Sequence, residues 1–181
     1  WQLNSYGTFK GEFTIYKYTV DNMIIWKLGS FEIFRPFNNN AEITGQTYSM
    51  HYQTQKKLLA FGVYYSHILP LDKNNQETTR NKIIPYHAQN SFKFNFQYFH
   101  KDFTGILNYR LIGKRYVTVA NTVELPKYNV LDLSMLQKFI LGEIEFQFNF
   151  SINNLLNEQY EIIRNYPIPG REFRLGLTLT Y

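Results

Sequence analysis

Between Phe92 and Tyr98 the chain reads FKFNFQY, and between Glu143 and Asn153 it reads EIEFQFNFSIN, with an apolar group at every second position. No other feature constrains the fold so tightly. Successive side chains of a strand point to opposite faces, so alternation over this length selects β-structure with one apolar and one polar face. Two architectures satisfy it. In a soluble sheet the apolar face covers a core; in a barrel within a membrane it meets lipid, and the polar face lines the interior.

Connections decide between them. The alternation and its breaks place about nine strands, near residues 6–18, 23–35, 41–54, 58–68, 88–100, 103–116, 128–138, 143–154 and 171–181. Turns near Val20-Asp21-Asn22, Gln55-Lys56-Lys57, Lys101-Asp102 and Phe139 to Gly142 are short. The alternate connections, at Pro36 to Asn40, Leu69 to Tyr86, Val117 to Lys127 and Leu155 to Gly170, are mostly longer and carry all 6 prolines. Short and long in turn is the layout of an outer-membrane barrel, with tight periplasmic turns and large outer loops. A Greek-key sandwich has no reason to keep this rhythm.

The faces agree. Phe173, Leu175, Leu177, Leu179 and Tyr181 oppose Glu172, Arg174, Gly176, Thr178 and Thr180; Phe9, Phe13 and Ile15 oppose Lys10, Glu12 and Thr14. Lys93, Asn95, Gln97, Arg110, Glu145 and Gln147 are the expected lumen lining. Aromatics reach 18% of the chain, and tyrosines gather near segment ends (Tyr6, Tyr16, Tyr18, Tyr64, Tyr65, Tyr98, Tyr128, Tyr181), as an interfacial girdle requires. No apolar run approaches the ~18 residues of a spanning helix. A mean hydropathy of −0.36 is compatible with barrel strands, whose alternate residues are polar.

The net charge of +5 is spread out, with Lys56-Lys57 and Lys114-Arg115 the adjacent basic pairs, so it points to no nucleic-acid partner. The absence of cysteine excludes a disulfide framework and thiol-ligated metals, and His51, His67, His87 and His100 have no metal-ligand spacing. Neither a metal site nor a cofactor is expected. An odd number of strands would leave the two ends on opposite sides of the membrane, and an open sheet would expose unpaired backbone groups to hydrocarbon. The chain is therefore expected to be the C-terminal part of a larger barrel, beginning at Trp1 inside a longer or processed polypeptide.

At its end the chain resembles a known family. INNLLNEQY (Ile152 to Tyr160), then YPIPGR (Tyr166 to Arg171), then a last strand ending in Tyr181 resembles the C-terminus of TonB-dependent outer-membrane receptors. The matching positions are Asn154, Leu155, Asn157, Tyr160, Pro169, Gly170, Arg171 and Tyr181, to which turn and strand-entry chemistry gives a structural task. Upstream, GKRY (Gly113 to Tyr116), LPKY (Leu125 to Tyr128) and Asp132-Leu133 resemble the family's preceding loop and strand. Pro85-Tyr86-His87 resembles a loop exit, and DNMIIW (Asp21 to Trp26) a periplasmic hairpin. Gly45-Gln46-Thr47 departs from the Gly-Val-Glu common at that place, which leaves the facing of its strand open.

The resemblance implies an all-β, antiparallel transmembrane barrel of 22 strands, closed by an N-terminal plug that this chain does not contain. It implies uptake of a scarce bulky solute (ferric siderophore, haem or cobalamin) driven by the TonB complex acting on the plug. The setting would be the outer membrane of a Gram-negative bacterium, among lipid and lipopolysaccharide; some members also use a surface lipoprotein. Loop residues suited to a large anionic or conjugated solute are Arg115, Tyr116, Asn121, Tyr160, Arg164 and Tyr166. A stand-alone porin or adhesin barrel would show the same strand physics. An outer-membrane phospholipase is a further alternative, from His87, Asn90 and Ser91, although neighbours on a strand alternate faces and do not converge. Catalytic residues are accordingly not assigned.

Overall fold

A computed structural model describes residues 2–3, 7–28, 34–74 and 76–181. Its strands are β1 (Gln2–Leu3), β2 (Gly7–Leu28), β3 (Phe34–Thr54), β4 (Leu59–Asp72), β5 (Asn90–His100), β6 (Phe103–Ile112), β7 (Arg115–Tyr116), β8 (Glu124–Leu125), β9 (Tyr128–Leu141), β10 (Ile144–Asn153), β11 (Glu161–Ile163), β12 (Tyr166–Pro167) and β13 (Glu172–Thr180). Nine form one sheet in the order β1-β2-β3-β4-β5-β6-β9-β10-β13, antiparallel at every pairing. The pairs β7–β8 and β11–β12 are small hairpins within loops. Among the described residues the sheet does not close on itself; β13 and most of β2 are edges.

Strand neighbours follow chain order because each turn is a hairpin. At one end the connections are residues 55–58, 101–102 and 142–143; at the other, residues 73–89, 113–127 and 154–171. Gly142 takes φ +65°, which glycine adopts without Cβ strain, and Lys101 takes φ +50° in the matching turn.

The register fixes every face, since directly opposed residues of an antiparallel pair share one side. Leu175, Phe150 and Met135 lie in one row across β13, β10 and β9; Gly105, Tyr98 and Leu59 continue it across β6, β5 and β4. The same face holds Tyr65, Tyr48 and Phe13, whose rings stand 4.6 Å (Phe13–Tyr48) and 6.1 Å (Tyr48–Tyr65) apart. Phe139, Phe146 and Phe148 stack lower down at 5.1 and 5.5 Å. On β6, β9, β10 and β13 this row covers about nine to eleven residues, the length needed to cross a bilayer, while on β5 it runs from Phe92 to Tyr98 and on β2 from Phe9 to Ile15. Large apolar side chains such as Leu175, Phe173 and Ile15 remain mostly exposed on it.

The first part of the sheet corrects the sequence reading. Residues 6–18 and 23–35 were expected as two strands joined by a turn at Val20-Asp21-Asn22, with DNMIIW as a periplasmic hairpin. Residues 7–28 instead form one strand, β2, of 22 residues, and residues 34–35 open β3; Tyr6 and residues 29–33 lie outside the described residues. Asp21 and Asn22 together oppose Asn40, between the pairs Val20↔Ala41 and Met23↔Asn39, which makes a β-bulge. Asn22 has φ +56° and its amide donates to Asn40 Oδ1 at 3.1 Å, so turn chemistry is present but spent on a bulge. Pro36, expected in a loop, lies in β3 opposite Trp26, where β4 no longer pairs with β3 and a missing donor costs no ladder bond. Pro70 likewise lies within β4. The count of nine survives through β1, two residues long, and the eight long strands put Gly7 and Thr180 at the same, short-turn end. The parity argument therefore falls.

At about 3.3 Å per residue β2 and β3 run for roughly 70 Å, more than twice a hydrocarbon core. Their upper halves project past the apolar belt: Ile15 is followed on that face by Lys17, and Tyr48 by Gln46, Thr44 and Glu42. Lys17 Nζ lies 3.0 Å from Glu42. The facing left open at Gly45-Gln46-Thr47 is settled by register: Gln46 opposes Ile15 and His67 on the apolar-belt side, while Gly45 lies on the other face beneath the Tyr16 ring, which a Cβ would strike.

Candidate functional site

The long loops interlock. Continuing β4, the loop of residues 73–89 runs back beside it through a bridge between Leu71 and Ile83, with the Ile84 amide donating to the Pro70 carbonyl at 2.9 Å. It is tied to the projecting hairpin: the Lys73 amide donates to Asn40 O at 2.7 Å, and Asn74 Nδ2 donates to Asn39 Oδ1. Ile25, Ala41 and Ile84 are buried together, with Val20, Met23 and Ile43 against them.

Asn121, at φ +59°, joins this loop to the next. Its Oδ1 accepts from the Ile83 amide and its Nδ2 donates to the Ile83 carbonyl, both at 2.8 Å. The Tyr86 amide donates to the Tyr116 carbonyl at 2.7 Å. Arg115, 4% exposed, donates from Nη2 to the carbonyls of Pro126 (3.3 Å) and Glu161 (3.0 Å), and so binds the third loop to the second. Its guanidinium stands 4.8 Å from the Tyr128 ring centroid, and Tyr160 stacks on Tyr128 at 4.1 Å. Burial lowers the Arg115 pKa from its usual value, and the charge nonetheless persists. Burial raises the Tyr86 phenol above its ordinary value, partly offset by a bond to the Arg164 backbone and that residue's charge. Lys114 is held above its usual value by its bond to Glu124, 2.8 Å away.

Of the six residues expected as ligand contacts, Arg115 and Asn121 thus bind loop to loop. Tyr116 and Tyr160 are half-buried in the same junction, with Lys114 Nζ 5.6 Å from the Tyr116 ring centroid. Arg164 and Tyr166 are exposed on the β11–β12 hairpin.

Tyr166 leads to what sequence reasoning missed. A cavity of about 560 Å³ lies between three segments: Met23 to Trp26 of β2, Ile84 to His87, and the pair Ile162-Ile163 with Tyr166. Its lining contains no Asp, Glu, Lys or Arg. Assigning Asp21 to Trp26 to a turn had placed this stretch at the opposite end of the sheet. The available signal was that MIIW and II are apolar without alternation, and so expose apolar groups on both faces.

The expected lumen residues share the face opposite the apolar belt. Lys93 opposes Arg110, and Asn95 Nδ2 donates to Asn108 Oδ1 at 2.7 Å across the same strand pair. Gln97 Nε2 donates to Asn95 Oδ1 at 2.9 Å, and Gln147 Nε2 to Asn149 Oδ1 at 3.3 Å. Arg110 lies 3.6 Å from Asp132, and Glu145 lies 2.8 Å from Lys138.

The C-terminal motif is a hydrogen-bonded turn. Asn154 (φ +53°) donates its amide to Asp132 Oδ1 and its Nδ2 to Glu158 O, and accepts from the Glu158 amide, at 2.8, 2.9 and 2.9 Å. The Leu155 amide donates to Leu131 O at 2.7 Å. Asn157 Oδ1 accepts from the Arg171 amide at 3.0 Å, and a Cβ on Gly170 would stand 2.6 Å from that oxygen. Pro169, beside Gly170, precedes the entry to β13, and the Tyr181 hydroxyl donates to Glu143 Oε2 at 3.0 Å.

Comparison with known proteins gives the architecture a context. No family model matches the chain. It is 22% identical over 97% of its length to the vitamin B12 transporter BtuB of Vibrio cholerae serotype O1, and spans 28% of that relative. Its fold matches the ferric citrate transporter FecA (TM-score 0.75, 13% identity, 95% of this chain and 29% of that one). It also matches the ferric preacinetobactin receptor BauA of Acinetobacter baumannii (TM-score 0.73, 13% identity, 94% of this chain and 27% of that one). The FrpB iron transporter of Neisseria meningitidis superposes with a TM-score of 0.70 at 16% identity, over 94% of this chain and 30% of that one. The sheet is a sector of a transmembrane barrel of this kind, and the resemblance to TonB-dependent receptors read from its motifs extends over nearly its whole length.

Proposed function

We propose that this chain, a sector of the barrel of a TonB-dependent receptor, is the C-terminal wall and loop set of an outer-membrane importer that takes up a scarce bulky solute. The remaining strands and the plug would belong to the rest of the polypeptide, and TonB would act through that plug. The solute class is a metal chelate or cobalamin, in keeping with relatives named as transporters of vitamin B12, ferric citrate and iron. In this reading the long loops face the medium and capture solute, while the polar face of Lys93, Asn95, Gln97, Arg110, Glu145 and Gln147 lines the passage filled by the plug.

One observation carries the reading. Three long loops and a projecting hairpin are bonded into one body at a single end of the sheet, whereas the described turns at the other end, such as residues 101–102 and 142–143, are minimal. A passive pore needs no such superstructure, and loops held on a rigid frame are where binding residues gather. Uptake of labelled cyanocobalamin and ferric chelates by cells expressing the full-length protein tests this. Accumulation of one of them that disappears when TonB is deleted is the expected result. Entry that persists without TonB supports a stand-alone pore instead.

A further inference from the structure

Lys93, near the middle of the polar face, is a cation without a counter-charge. Directly across from it stand Tyr64 on β4 and Arg110 on β6, and Ser91 and Asn95 flank it on its own strand. None of these is a carboxylate. Lys138 and Arg174 on the same face are matched, by Glu145 at 2.8 Å and Glu172 at 3.0 Å. Asp132 is already engaged, by the Asn154 amide at Oδ1 (2.8 Å) and by Arg110 at Oδ2 (3.6 Å). Among the described residues Lys93 has no ion-pair partner. Like charges opposed across an antiparallel pair repel, with their Cβ atoms about 5 Å apart.

The surroundings suit an oxyanion. Thr47, Ser49, Tyr64, Ser66 and Ser91 line, with Lys93, a hollow of about 420 Å³ on this face. Register brings the hydroxyls together: Ser49 opposes Tyr64, and Ser66 opposes both Thr47 and Ser91. The Tyr64 hydroxyl is bonded to His51 Nδ1 at 3.3 Å, which leaves the serines to serve the hollow. The strands concerned, β3 to β6, are each paired on both sides, so the hollow owes nothing to a sheet edge. Lys93 lies three residues below the loop end of β5, roughly 10 Å at about 3.3 Å per residue, with Phe92 and Phe94 beside it on the belt face. It therefore sits within the height of the belt and beneath the loops.

We propose that Lys93 and Arg110 receive an Asp or Glu side chain of the plug, which lies upstream of Trp1 in the importer reading, with the Ser49, Ser66 and Ser91 hydroxyls donating to the remaining carboxylate lone pairs. The inference rests on that reading and adds to it the chemistry of one contact between wall and plug. A water-filled passage screens two neighbouring cations and asks for no partner. A passage filled by a folded domain withdraws that water, and a charge taken out of water is costly unless it is paired. The partner has to be present with or without solute, which a residue of the same polypeptide is and a transported molecule is not. One carboxylate can span both cations, because Arg110 keeps donors beyond the one near Asp132 and Lys93 has three.

Carbodiimide coupling of the full-length receptor in outer-membrane fragments, without solute, tests this. The reagent joins an amine to a carboxylate in contact with it as an amide, and mass spectrometry after digestion identifies the linked peptides. Lys138 and Glu145, 2.8 Å apart, are the internal control. A peptide joining Lys93 to an Asp or Glu upstream of Trp1, absent from Lys93→Gln, is expected. Linkage of Lys138 to Glu145 with Lys93 unlinked, or linked only within residues 1–181, overturns the inference. Limited proteolysis of the same fragments gives an independent reading. At equal surface yield, Lys93→Glu combined with Arg110→Gln should speed cleavage upstream of Trp1 about tenfold, and Lys93→Arg should leave it unchanged. Unchanged cleavage in the double variant also overturns the inference, and so does a loss of solute binding alone. The importer reading fails separately. TonB-dependent uptake with no such linkage keeps the importer and sinks the contact, whereas the linkage with TonB-independent entry does the reverse.

Discussion

Asn157 and Gly170 show how single residues set the loop end of the barrel. The Asn157 side chain can reach the Arg171 amide because Gly170 has no Cβ to block it. Gly170→Ala forces that oxygen aside and is expected to cost about 1–3 kcal/mol, read as a lower midpoint in the heat-modifiability of the folded barrel on gels. Adding Asn157→Ala removes the group being struck, so the double variant should lose less than the sum of the two singles. Arg115→Met leaves the Pro126 and Glu161 carbonyls without their donor. Protease nicking between Leu155 and Gly170 should become faster while the barrel stays folded. The sequence picked out these residues by type but not by task. Arg115 and Asn121 look like ligand contacts in a linear reading because an arginine and an asparagine in a long loop suit either a solute or a neighbouring loop. Which one they meet depends on contacts 46 and 38 residues away.

Among the elements, legibility followed alternation. β5, β6, β10 and β13 were readable because each keeps one apolar row unbroken, and their registers put those rows together. Phe148→Arg should then hinder insertion, at about 2–4 kcal/mol near mid-bilayer, while Asn149→Arg on the opposite face assembles; surface yield of the two variants compares them directly. β2 was not readable at its middle. A β-bulge and a hairpin turn both favour an asparagine at positive φ, and Val20-Asp21-Asn22 carries that signal without saying which is built. Deleting Asp21 and Asn22 together should pair Met23 with Asn40 and exchange the faces of Met23 to Trp26, moving Ile25 away from Ala41 and Ile84. The loop of residues 73–89 is expected to loosen with the belt intact, checked by protease nicking and surface yield measured together.

The whole molecule follows from one division of surface. One side of the sheet is an apolar belt as tall as a bilayer and the other is polar, with interlocked loops standing past the belt at one end. Everything proposed for transport depends on that belt meeting lipid and the opposite row facing the barrel interior. Cysteines at Glu77 and Arg164 should react with an impermeant thiol reagent on intact cells, and one at Asp102 should not, which orients the long loops outward. The most direct measurement is a nitroxide scan of residues 145 to 151 in the full-length receptor, reconstituted in bilayers. Collision rates with oxygen, which partitions into lipid, and with a water-soluble nickel chelate are read at each position. Oxygen accessibility should peak at Phe146, Phe148 and Phe150 and fall at Glu145, Gln147, Asn149 and Ser151, with a period of two. Maxima at Gln147 and Asn149, or no periodicity at all, would contradict the orientation of the sheet and the importer built on it.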